Sequence, residues 1–146
     1  MKMPQLFAIA GIQCLSAAAF GQESLGEVLD QSGQLLTPDS IKAELVGHWI
    51  NWQSKNSLLE FQAKPNDDGS LQGRVRNFRG TTGELSGTWR IKDDGRFCMS
   101  AKYLVGPSHP GDFDICHYWF KVGAKYWSGS SNSDRDATVV KRSVSQ

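Results

Sequence analysis

Two cysteines, Cys98 and Cys116, constrain this chain more than any other pair of residues. Each lies in a stretch that alternates apolar and polar side chains, the signature of a half-buried strand. One stretch runs from Arg96 to Leu104 and the other from Phe113 to Val122. Antiparallel pairing with Cys98 opposite Cys116 sets every other pair. Phe97 then faces His117, Met99 faces Ile115, and Ala101 faces Phe113 on a mostly apolar face. On the other face Ser100 meets Asp114 and Lys102 meets Asp112. Both sets are favourable cross-strand pairs. A directly opposed pair also meets the Cα spacing that a disulfide needs. Tyr118 and Phe120 fall on the polar side, so other strands or a helix should cover part of it.

The first 21 residues read as a signal peptide. Lys2 supplies the positive start, Leu6 to Ile12 the apolar run, and Ala19-Phe20-Gly21 a small-x-small cleavage site. The apolar run is too short to span a bilayer, so no membrane span is expected. Cys14 is expected to leave with the signal peptide, because Gln13 occupies the place where a lipobox has a small residue. Cys98 and Cys116 then remain, and an exported chain with two cysteines most simply forms one disulfide. Cleavage near Gly21 implies a periplasmic or secreted protein. Removing Lys2 from 16 basic residues leaves 15, against 15 acidic ones. Such neutrality argues against nucleic acid as a partner, which calls for a basic surplus.

Residues 22–36 are polar and are expected to form a flexible leader with weak helical character. Thr37-Pro38-Asp39 is a helix start: an N-cap, a proline at the first position and an acid in the first turn. Ile41, Leu45 and Val46 share one face, and Gly47 stops the helix. Strands are expected over 48–53, 57–63, 70–78, 84–92, 96–104, 113–122, 125–127 and 137–141, with a polar loop at 128–136. Turn signals such as Asp67-Asp68-Gly69 and Asp93-Asp94-Gly95 separate them. The expected fold of 37–146 is all-β in one domain. It is a small antiparallel up-and-down barrel or sandwich, with one short N-terminal helix and one disulfide.

Catalytic signals are weak. The chain has no G-x-S-x-G elbow, and its two remaining cysteines are consumed by the disulfide. His109, Asp112, Asp114 and His117 cluster in sequence, but the register splits them between two faces, so no metal site is expected. Asn66-Asp67-Asp68-Gly69 lacks the later ligands of a calcium loop and reads as a turn. No cofactor and no enzyme activity are expected. Five tryptophans are many for one small domain. Trp89 is expected in the core. Trp49 and Trp52 fall on opposite faces of one strand, so one of them should be exposed or line a barrel mouth. With Trp119 and Trp127 they are candidate ligand- or partner-binding residues. Leu71, Val75, Leu85, Trp89 and Ile91 point inward on the central hairpin, which leaves Arg74, Arg76, Arg90 and Lys92 outward. Arg74, Arg76 and Arg90 are candidates for contact with an anionic protein or glycan, since guanidinium matches carboxylate and phosphate.

The pattern Gly87-x-Trp89, Asp94-Gly95-Arg96-x-Cys98, Cys116-His117, Gly123 and Tyr126 resembles a family of small exported proteobacterial proteins of unknown function. The resemblance covers residues 87–127, with weaker agreement at Gly47-x-Trp49. It implies export and fold, and no reaction. Gly-x-Trp at the first strand also resembles the calycin barrels, the lipocalins and avidins. The expected function is an exported, non-catalytic binding module for a small molecule or an envelope partner. The alternative is a periplasmic inhibitor or interaction protein of a cell-envelope enzyme, and a hydrolase comes last.

Overall fold

The computed structural model describes residues 23–145. The expected signal peptide, the expected cleavage site and Cys14 lie outside the described residues. Twelve elements follow in order: β1 (Glu23–Ser24), α1 (Leu25–Asp30), β2 (Gln34–Leu35), α2 (Pro38–Glu44), β3 (Trp49–Gln53), β4 (Leu59–Pro65), β5 (Ser70–Asn77), β6 (Thr82–Ile91), β7 (Phe97–Val105), β8 (His109–Val122), β9 (Lys125–Gly129) and β10 (Thr138–Ser145). From β3 to β10 each strand pairs antiparallel with the next, and β10 returns to pair with β3. The strands therefore form a ring, an up-and-down barrel.

The cysteine hairpin has the expected register. Cys98 faces Cys116, Phe97 faces His117, and Lys102 faces Asp112. The disulfide joins the pair with Cα atoms 4.0 Å apart. That close approach marks a pair whose own N–H and C=O groups point away from each other.

The expected helix is α2. Thr37 caps it, its hydroxyl accepting the Ser40 N–H at 3.2 Å, and Pro38 opens it. Gly47 follows with φ +84°, which glycine adopts without strain. Ile41 and Leu45 are fully buried and join Leu36 against the barrel core of Ile50, Leu71, Phe97 and Trp119. Thus α2 plugs the end of the barrel where β3 begins and β8 ends.

A second helix departs from the expected flexible leader at 22–36. Ser24 and Glu27 form a reciprocal capping box: the Glu27 N–H donates to Ser24 Oγ, and the Ser24 N–H to the Glu27 carboxylate. This arrangement satisfies two of the orphan donors that open a helix. Leu25 and Val28 of α1 are then buried against Phe120, Trp127 and Val139 on the outer wall. Gly26 allows this docking, because its N–H donates to the Arg135 carbonyl and a Cβ there would lie 3.1 Å from that oxygen. The leader is an outer brace, and it supplies the cover that Phe120 called for.

Candidate functional site

The barrel interior is filled. Trp52 stacks on Phe61 with centroids 5.2 Å apart, and both meet Phe113 edge-on, at 5.4 and 5.5 Å. Tyr103 closes the group from beside Phe61. Beneath them the space bounded by Ile50, Phe97, Met99 and Trp119, and on the β8–β10 side by Ile115, His117, Ser128 and Arg142, does not admit a water molecule.

The wall, by contrast, is incomplete. β8 is 14 residues long and β9 only five. β9 pairs with Tyr118 to Val122 of β8 and ends at Gly129. The chain then turns away to α1, where Arg135 and Ala137 accept backbone hydrogen bonds from Gly26 and Leu25. From His109 to His117, β8 has β7 on one edge and no strand on the other among the described residues. Across the gap, Trp52 and Gln53 of β3 pair only with β4. The result is a lateral cleft, with Trp52, Phe113 and Ile115 on its inner side. Val140 shares the inward face of β10 yet is 38% exposed, which marks the cleft as open to solvent.

Three polar side chains meet at the end of this cleft, where β9 stops. Arg142 Nε–H donates to Ser128 Oγ at 2.8 Å, and His117 Nδ1 lies 3.1 Å from the same oxygen. Arginine can only donate, so Ser128 accepts from Arg142, and the His117 tautomer decides which of Ser128 and His117 donates to the other. Burial, followed by the charge of Arg142, lowers the His117 pKa to about 4. Burial alone lowers the Arg142 pKa to about 10. The guanidinium carbon sits 5.9 Å from the Trp52 ring centroid. Among the described residues no carboxylate pairs with Arg142. Arg142 is half-buried, so its lack of a counter-charge carries only part of the cost of a buried one. Its four remaining N–H groups have no acceptor among the described residues and can be offered to an anion.

The expected site residues are spread over the molecule. Trp52 alone of the four candidate tryptophans borders the cleft. Trp49 points outward, half-buried, with the Lys64 ammonium 6.0 Å from its ring. Trp119 and Trp127 are 2% and 3% exposed in separate cores, so neither is available to a partner. Trp119 faces inward on β8, and Trp127 is sealed beneath α1. Trp89 is half-buried in the core and donates from Nε1 to the Asn66 carbonyl at 2.7 Å. Arg74, Arg76 and Arg90 are exposed on the outer sheet face, but that face is mixed in charge. Arg76 pairs with Glu60 across β4 and β5, and Arg74 lies opposite Glu84. A shallow outer groove of about 360 Å³ lies over β6 to β8, lined by Ser86, Ser100, Lys102, Asp112 and Asp114.

Ser128 and Arg142 escape the sequence reading. Ser128 falls in the expected polar loop, and Arg142 lies one residue beyond the last expected strand. The available signal is the alternation Val140-x-Arg142-x-Val144, which puts the arginine on an apolar face. No protein-family model, no curated protein and no solved structure matches this chain.

Proposed function

We propose that this protein is an exported, non-catalytic binding module that recognises an anionic group of an envelope partner at the lateral cleft. The observation that carries the reading is Arg142, half-buried at the cleft end with no carboxylate beside it among the described residues. The filled interior favours a partner docked at the wall over a small molecule held in the lumen. The disulfide suits an oxidising compartment. The closed up-and-down ring is compatible with kinship to the calycins in architecture, with the lumen traded for packing.

One contact favours a second reading. Ser128 and His117 lie at the distance of a nucleophile and its base. Ser128, however, is 1% exposed, and its oxygen already accepts from Arg142. An active-site fluorophosphonate should therefore leave Ser128 unmodified; a stoichiometric adduct would establish the hydrolase reading.

The binding reading is tested with N-acetyl-phenylalanine, a probe that joins a carboxylate to an apolar ring. Tryptophan fluorescence should respond to it in the full chain through Trp52. Its neutral amide should bind about tenfold more weakly, as should the acid to Arg142→Met. Equal responses to acid and amide, or none to either, overturn the reading.

A further inference from the structure

We infer that the cleft takes the C-terminal tail of a partner protein as an added strand, parallel to β8, with its terminal carboxylate on Arg142. The inference rests on the binding reading above and names the class of partner.

The main-chain half of the site is the free edge of β8. The close Cα approach of Cys98 and Cys116 makes theirs a pair whose N–H and C=O groups point outward from the β7–β8 ladder. By the two-residue period of the strand, Asp112 and Asp114 do the same. Asp112, Asp114 and Cys116 therefore offer donors and acceptors to an incoming strand along an edge that no described residue pairs. Pro110 is in the same phase but has no N–H, so the usable ladder begins after it. Addition of an extended peptide to such an edge is an established mode of recognition.

The side-chain half fixes the direction. β9 blocks the cleft at Gly129 and Ser128, so an added strand cannot run through and must end there. A chain that ends beside Arg142 meets a cation with free N–H groups. A terminal carboxylate satisfies them, and a terminal ammonium is repelled. Entry from the open rim with the carboxylate leading runs parallel to β8. Inward side chains of the tail then meet Trp52, Phe113, Ile115 and Val140. Outward ones pass Asp112 and Asp114, which favours lysine or arginine there.

The same aspartates argue against a second copy of this chain. Two β8 edges paired antiparallel would bring Asp112 and Asp114 of each copy together, a like-charge contact that guards an edge against self-association.

The test uses the full chain and the peptide acetyl-Lys-Val-Lys-Val-Lys-Phe with a free C-terminus. Bound peptide should slow amide exchange at Asp112, Asp114 and Cys116 by about tenfold or more, read by NMR. Amidating the C-terminus should weaken binding about tenfold, and so should N-methylating the peptide backbone on the edge-facing residues. If N-acetyl-phenylalanine binds while the methylated peptide binds as well as the unmodified one, strand addition is wrong and the binding reading survives. If neither probe binds, both fall. If these amides are already protected without peptide, the edge is occupied by a second copy or by the chain's own first residues, and the inference is overturned; sedimentation tells the two apart.

Discussion

Two polar clusters face each other across Tyr126 and Arg142, paired residues of β9 and β10, and they solve the same problem in opposite ways. At the plugged end, Glu44 of α2 accepts from the Tyr126 hydroxyl at 2.6 Å and pairs with the Lys121 ammonium at 2.8 Å. Burial raises the Glu44 carboxyl, but the hydrogen bonds and charge of Lys121 and Tyr126 outweigh it, and the net shift is downward. Each charge there has its opposite. At the cleft, Arg142 has a serine, a neutral imidazole and an indole face, and no anion. The first cluster ties a helix to the barrel. The second holds a cation in readiness, at a cost to stability of the kind that binding sites impose. A cation held by neutral partners alone is where an anionic ligand should be sought.

The contrast can be broken from the plugged side first. Ile41→Ala removes a fully buried side chain from α2 and should cost about 3 kcal/mol, read from the urea midpoint. Val140→Ala, on the cleft, should cost under about 0.5 kcal/mol, because that side chain is already partly in water.

Acid should act on the two clusters in different windows. The folded pKa of His117 is lowered to about 4 from an ordinary value of 6.5. The unfolded chain therefore takes up its proton first, and stability falls as pH drops from 6.5 towards 4. After discounting for solvent screening the loss should be about 2 kcal/mol. His117→Gln should flatten that window in urea titrations at pH 7 and pH 4.5. Glu44 is also lowered, from 4.5, but it is a carboxylate that is charged when folded. Its contribution is present above the unfolded value and is lost only below it, as pH falls through the folded value.

Smaller effects of opposite sign should follow from neutralising each centre. Arg142→Met should raise stability by up to about 1 kcal/mol, since it replaces a half-buried cation, unpaired by any described carboxylate, with an apolar chain of similar reach. Glu44→Gln should lower it by about 0.5 kcal/mol, the scale of a partly exposed ion pair. A thermal shift in the same direction for both variants would erase the distinction between the clusters.

The sequence carried the hairpin register because two cysteines joined face to face leave no freedom in the pairing between them. It carried α2 because Thr37-Pro38-Asp39 acts locally. It hid α1 because the capping signal Ser24-x-x-Glu27 is set among polar residues, and the apolar surface that makes the helix worthwhile lies on β8 to β10. The choice between barrel and sandwich turned on β10 meeting β3, a contact between distant parts of the chain that no local pattern records. The outward phase of Arg74, Arg76 and Arg90 was legible. The carboxylates of Glu60 and Glu84 beside them were not, since that proximity depends on the register across each hairpin, which no crosslink fixes there. The cleft was least legible, because it arises from where β9 stops.

The disulfide has a mechanical meaning in this setting. From His109 to Cys116, β8 is supported from one side only, so it should peel from β7 like a zip opened at its free end. The crosslink sits at the last residue but one before β9 takes up the second edge at Tyr118. Peeling that starts at the rim is arrested there, and the doubly supported stretch behind it stays seated on the core. The covalent bond thus separates a length of strand free to breathe, and to accept another chain, from a length that has to remain still.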